Sequence, residues 1–156
     1  MPVLSRDDAV ALVGRLRAAG KTIVFTNGVF DLLHLGHVRY LQEARRQGDA
    51  LIVGVNSDRS ARGNKGSDRP IVQAEERAEL IAALEAVDAA VIFDEDTPHE
   101  IVTALQPDIL VKGADWAADR IVGRDVVEAR GGKVVRVALE PGQSTTALID
   151  KIKSGL

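Results

Sequence analysis

Hydrophobic and polar positions alternate between two periods along the chain, and the switches between them mark out its elements. SRDDAVALVGRLRAAG (5–20) carries apolar residues at helical spacing, opens with a capping-box pattern from Ser5 to Asp8 and stops at Gly20, which predicts a helix. KTIVFT (21–26) is a short β-branched run and predicts a buried strand. HVRYLQEARRQG (37–48) returns to helical spacing, with Val38, Leu41 and Ala44 on one face and Gly48 as the stop. Further strands are predicted at ALIVGVN (50–56), AAVIF (89–93), DILVKG (108–113) and KVVRVAL (133–139). Helices are predicted at QAEERAELIAALEAV (73–87), after Thr97, Pro98 and Glu100, at GRDVVEARGG (123–132) and at STTALIDKIK (144–153). The second of these starts pairs a capping box with proline at the first helical position.

Strands alternating with helices predict an α/β fold, a Rossmann-like open parallel sheet with helices on both faces. No composition shift, linker or repeat divides the chain. Residues 1–156 therefore read as one domain, an N-terminal helix (1–20) followed by a core (21–156). Residues 57–70 are too long and too polar for a tight connection. They follow the carboxyl end of a strand, where open α/β sheets bind ligands, and so predict a mobile loop over a site; a solvated surface loop is the alternative.

Composition narrows the function classes. Of the 156 residues 46% are hydrophobic and 28% charged, the balance of an ordinary globular protein. A net charge of −3 supplies no general field for DNA or RNA, so a bound anion has to be held by local groups. With no cysteine there is no disulfide, thiolate metal site or cysteine nucleophile. Arg6, Asp7 and Asp8 stand where a signal peptide needs an apolar core, and no apolar run is long enough to span a bilayer. The expectation is a soluble, cytoplasmic protein without a membrane partner.

The chemistry concentrates in TNGVFDLLHLGH (26–37), which links a strand to a helix. A helix start offers free N–H groups and partial positive charge to a phosphate. Gly28 and Gly36 would let a ligand approach the backbone, and His34 and His37 each offer a donor that titrates near neutral pH. Together these features describe a phosphate clamp. Two other uses stay open: cap or core histidines, or a shared zinc ion, although the third histidine, His99, lies far along the chain.

GVFDLLHLGH resembles the signature of the HxGH nucleotidyltransferase superfamily, here His34-Leu35-Gly36-His37. The resemblance continues in order through LIVGVNSD (51–58), RPIVQAEERAELIAALEAVD (69–88), DILVKGADW (108–116) and GQSTTALIDKI (142–152). Within the superfamily the chain looks most like the stand-alone adenylyltransferases that make ADP-heptose from D-glycero-β-D-manno-heptose 1-phosphate for lipopolysaccharide core or other surface sugars. The resemblance implies attack of a sugar 1-phosphate on the α-phosphorus of ATP, with Mg²⁺ entering alongside ATP and no metal held tightly by the protein. It leaves open a homodimer, common among relatives.

Residue roles follow from the same resemblance. His34 and His37 are assigned to the triphosphate, with His37 as donor at the α-phosphorus, while Thr26, Asn27, Gly28 and Phe30 form a turn along the nucleotide. Asp31 is expected to fix that turn or orient a histidine rather than act as a base. Lys65, with Arg62 and Arg69 nearby, is expected to close over the phosphates from the 57–70 loop. The resemblance implies that Arg77 reaches back to the site; a helix-surface ion pair is the alternative, weakened because none of Gln73, Ala74, Leu80 and Ile81 is a carboxylate. Ser144, Thr145 and Thr146 open the last helix, as caps and as a phosphate site at once. Lys112, Gly113, Asp115 and Trp116 are expected to contact substrate, Lys112 at the sugar phosphate and Asp115 at sugar hydroxyls; Trp116 as a packing residue is the alternative.

One departure bears on substrate choice. Glycerol 3-phosphate cytidylyltransferases carry Arg-Thr-x-Gly-Ile-Ser-Thr-Thr at the last motif, and here the arginine position holds Leu139. A guanidinium able to grip phosphate bidentately is missing, which favours the adenylyltransferase. Such a cytidylyltransferase, or another nucleotidyltransferase of small phosphates, remains one alternative, and a non-catalytic nucleotide-binding module the other. Intact histidines and the intact STT motif speak against the module.

Overall fold

A computed structural model of the chain describes residues 2–66, 68–139 and 141–155, apart from the side chain of Ala118. The elements run β1 (Val3–Leu4), α1 (Arg6–Ala18), β2 (Ile23–Gly28), α2 (Leu35–Arg45), β3 (Ala50–Asn56), α3 (Asp58–Lys65), α4 (Ala74–Ala82), β4 (Ala89–Phe93), α5 (His99–Leu105), β5 (Ile109–Gly113), a 3₁₀ turn (Ala118–Arg120), α6 (Arg124–Ala129), β6 (Lys133–Val137) and α7 (Thr145–Lys153). The strands form one parallel sheet in the order β1-β4-β3-β2-β5-β6. The Rossmann-like architecture expected from the alternating pattern is present.

Side chains of successive strand residues point to opposite faces, so each central strand feeds two cores. Ile23, Phe25, Ile52, Val91 and Phe93 pack with Val13 of α1, Ile101 and Leu105 of α5 and Val127 of α6. Val24, Leu51, Val53, Val55 and Val111 pack with Leu41 of α2 and Ala78 and Ile81 of α4. Covering both faces makes the strands near-continuous apolar runs, which is why they were easy to recognise.

Aspartates secure the amino edge of the sheet. Asp49 accepts from Thr22 N at 2.7 Å, Asp108 from Ile23 N at 2.8 Å and Asp88 from Leu51 N at 2.8 Å. These N–H groups start strands and have no ladder partner there, so the carboxylates satisfy them.

Four expectations about the elements need correction. The 57–70 stretch is not a simple loop, because Asp58–Lys65 is helical. DRSARGNK has only Ala61 as a buried apolar side chain and so lacks a hydrophobic period. Polar bonds hold the helix instead: Ser57 caps Ser60 N at 3.1 Å, Asn56 donates to Ser60 Oγ at 2.9 Å, and Ser60 donates to the Glu95 carbonyl at 2.8 Å. The β2 strand runs two residues further than predicted because Asn27 and Gly28 pair with Gly54 and Val55 of β3. Pro98 is the cap residue of α5 rather than its first helical residue. Val3–Leu4, too short to show a period, adds an edge strand on β4. Among the described residues no helix is long and apolar enough to cross a membrane.

Candidate active site

The sheet order places β2 between β3 and β5, the point where the topology reverses and a crevice opens at the carboxyl edge. β2 pairs with β3 as far as Gly28, yet its registered pairs with β5 end at Phe25 and Leu110. Beyond that the two strands are bridged by hydroxyls. Thr26 Oγ1 donates to the Val111 carbonyl at 2.9 Å, and Tyr40 Oη of α2 lies 2.8 Å from Thr26 Oγ1 and 3.2 Å from the same carbonyl. Burial pushes the Tyr40 phenol up to about 12, so it stays protonated.

The turn from Gly28 to His37 is tightly made. Phe30 and Leu32 take left-handed backbone conformations with φ of 53° and 47°, a strained arrangement for side-chain-bearing residues. Asp31 between them anchors it, accepting from Ile71 N at 2.7 Å, Val72 N at 3.0 Å and Arg69 Nε at 3.1 Å. Burial alone would raise this carboxyl, but those N–H groups and the Arg69 charge outweigh it and hold it below its usual range. These three bonds tie the turn to residues 69–72.

His34 caps α2 and His37 lies in its first turn, their rings stacked with centroids 3.8 Å apart. The His34 N–H donates to His37 Nδ1 at 3.2 Å. This leaves the His37 proton on Nε2. Burial first, and the neighbouring His34 second, lower the His37 imidazole to about 4, and burial lowers His34 as well. The expectation that His37 titrates near neutral pH is corrected: it is a neutral donor there. Gly36 and Gly28 are packed closely by the protein itself and also line the crevice. A Cβ on Gly36 would come 2.8 Å from both Gln143 Cβ and His34 Cε1, and one on Gly28 would come 3.0 Å from the Phe30 ring.

Arg77 is the largest fully buried side chain and does not line the crevice. Its Nη1 donates to the Val29 carbonyl at 2.6 Å, Nε to the Val72 carbonyl at 2.7 Å and Nη2 to Asp58 at 2.8 Å. The expected reach back to the site is therefore made to the backbone beneath it, through a carboxylate on α3 that the helical neighbours of Arg77 could not reveal. Thr26 likewise lies below the lining, in the hydroxyl bridge.

Every other residue singled out in the sequence lines one cavity of about 380 Å³: His34, His37, Lys65, Asn27, Gly28, Phe30, Asp31, Gly36, Lys112, Gly113, Asp115, Trp116, Ser144, Thr145 and Thr146. Arg69 joins them, whereas Arg62 does not. Ser144 caps α7 by accepting from Ala147 N at 3.0 Å, and Thr145 Oγ1 donates to the Asp31 carbonyl, tying α7 to the histidine turn. Lys112 Nζ lies 5.7 Å from the centre of the Trp116 ring, and burial, opposed by the charge of Asp115, lowers its ammonium to about 8. His99, at the start of α5, lines neither this cavity nor its neighbour, and its Nε2 lies 3.4 Å from Asp125.

Two features were missed in the sequence. Tyr40 lines the cavity, and its position three residues after His37, on the same helix face, was the available signal. A second cavity of about 410 Å³ adjoins the first across Asn27, Gly28 and Val29 and is faced by Asn56, Asn64, Asp96 and Thr97. Of these four only Asp96 and Thr97 are neighbours in the chain; the sheet edge brings that pair to Asn56 and Asn64. Among the described residues no three His, Cys, Asp or Glu side chains gather as a metal site.

Residues 25–152 match the cytidylyltransferase-like family. The chain is 53% identical over 149 residues to the bifunctional protein HldE of Geotalea uraniireducens, covering 96% of this chain and 30% of that protein. It is 55% identical over 136 residues to the bifunctional protein HldE of Syntrophotalea carbinolica, covering 87% of this chain and 28% of that one. The chain thus spans under a third of the length of these relatives. A lipopolysaccharide core biosynthesis protein from Thermoplasma volcanium superposes with a TM-score of 0.65 at 36% identity, covering 78% of this chain and 98% of the other. With the HxGH residues at the topological switch point and a match over most of its length, this chain belongs to the cytidylyltransferase-like family.

Proposed function

We propose that the chain is an adenylyltransferase that joins ATP and D-glycero-β-D-manno-heptose 1-phosphate into ADP-heptose, releasing pyrophosphate. The observation that carries this reading is the convergence of His34, His37, Lys65, Lys112 and Ser144–Thr146, from four separate segments, on one cavity at the switch point. The choice of sugar rests on the motif resemblance, and the similarity to a lipopolysaccharide core biosynthesis protein supports it.

In this reading an oxygen of the sugar phosphate attacks the α-phosphorus as the bond to the β-phosphate oxygen breaks, and pyrophosphate leaves with the electron pair. The nucleophile is already an anion, so no base is needed and alignment with charge stabilisation supplies the catalysis. His37 donates from Nε2 as a neutral imidazole, and the free N–H groups at the starts of α2 and α7 face phosphate oxygens. The second cavity, with its amide, hydroxyl and carboxylate groups, suits a polyhydroxylated acceptor. Mg²⁺ would come with ATP and neutralise charge on its phosphates. Asp31 is committed to three donors, so phosphate oxygens and water would hold the cation.

Leu139 lines the first cavity where the cytidylyltransferase arginine is expected; Arg136 does not line it, and its Nη1 donates to the Trp116 carbonyl at 3.3 Å. A matrix of four nucleoside triphosphates against sugar phosphates and glycerol 3-phosphate, read by pyrophosphate release, tests the assignment. ATP with heptose 1-phosphate should give the highest kcat/KM. CTP with glycerol 3-phosphate at or above that value would overturn it, and binding without pyrophosphate from any pair would favour a regulatory module.

A further inference from the structure

The two cavities meet at a junction, and among the described residues only two cations belong to both: Lys65 and Lys112. If one cavity takes the nucleotide and the other the acceptor, the reacting oxygen and the α-phosphorus must meet there. The histidines line the first cavity alone.

The two lysines are held differently. Lys65 is exposed at the end of α3. Lys112 stands at the carboxyl end of β5, between the hydroxyl-bridged Val111 and Gly113, mostly buried against the Trp116 ring. Among the described residues it has no hydrogen-bond or ion-pair partner, so its three ammonium hydrogens are available. Asn27, also at the junction, keeps a buried Oδ1 without a partner, a second unfilled contact at the same point. Buried polar groups are ordinarily satisfied, so this floor is made for a ligand.

We propose, resting on the transfer reading above, that Lys112 is a catalytic residue that grips the attacking sugar phosphate and the α-phosphate of ATP at once. It draws two like-charged groups into line and stabilises the negative charge spread over the oxygens as the new P–O bond forms and the bond to pyrophosphate breaks. It donates hydrogen bonds and transfers no proton. A partly desolvated cation at a strand end has less solvent to reorganise at this step, which favours Lys112 over the solvated Lys65. The charged and titratable groups facing it are Asp115 on its own loop, Lys65 from α3, Asp96 after β4, and His34 and His37 from α2. In the free enzyme its ammonium is charged below about 8 and neutral above.

The test compares wild type, Lys112→Met and Lys112→Arg by steady-state pyrophosphate release across pH, with ATP affinity measured by calorimetry. Lys112→Met should lose about 100-fold or more in kcat, as for one oxyanion-type donor, while its Kd for ATP changes less than about fivefold. Lys112→Arg should recover at least about tenfold of that loss by restoring the charge. The wild-type kcat/KM for the sugar phosphate should fall as pH rises through about 8, and Lys112→Arg should lack this limb. A Lys112→Met enzyme with near wild-type kcat, a loss carried wholly by ATP affinity, or an unchanged alkaline limb in Lys112→Arg would each overturn the proposal while leaving the transfer reading intact. A folded wild type that turns over no pair would overturn both.

Discussion

Across the crevice, the 28–37 turn and the 112–116 loop face one another with opposite construction. In the turn, Asp31 takes three donors, Arg77 holds the Val29 carbonyl, and two residues keep left-handed backbone conformations that the surroundings must enforce. In the loop, Trp116 is 50% exposed and its N–H makes a local turn bond to Gly113 O. The difference matches two tasks. Charge stabilisation at phosphorus depends on donors held in place before the substrate arrives, so the histidine turn is rigid. A large, half-exposed ring over a lysine can adjust to the ligand beside it.

The sharpest way to break the contrast is Arg77→Met. It leaves the Val29 and Val72 carbonyls without their donor and Asp58 without its ion pair. Because Asp58 keeps some exposure, the loss of stability should be on the order of 3 kcal/mol, the lower end for breaking a buried pair. Denaturant unfolding measures it, and a loss below about 1 kcal/mol would show that the turn stands without this support.

His37→Ala should leave the fold intact and lower kcat by about 10²–10³, the cost of one positioned donor. His99→Ala, at a residue that lines neither cavity, should leave kcat at wild type. An NMR titration sharpens the point, since the His37 ring should titrate near 4 rather than at its ordinary 6.5. Because the folded value is lowered, the neutral ring's contribution to stability is complete above 6.5 and is lost as pH falls toward 4. A His37 inflection near 6.5 would remove burial as the cause.

The smallest effect belongs to the loop. Trp116→Ala should change stability by no more than about 0.5 kcal/mol, as expected of an exposed position, while raising KM for the sugar phosphate by severalfold. A large loss of stability would show that the ring is a packing residue after all.

The strands, most helices and the whole HxGH segment were legible in the chain, because apolar period and cap chemistry are local properties. The α3 helix was not, since its stability comes from polar bonds to Glu95 and Asn56 rather than from a period. The same limit hid the second cavity, whose lining comes from separate strand ends.

Arg77 draws the line between the two kinds of information. Its own helix shows no carboxylate within reach, and that was enough to mark it as unusual. What it does instead was settled only when packing brought Val29, 48 residues away, and Asp58, 19 residues away, around its guanidinium. His37 carries the same lesson in electrostatics. Its identity and spacing are written in the chain, but its protonation state follows from burial and from the stacked ring of His34, and desolvation exists only once the fold has excluded water.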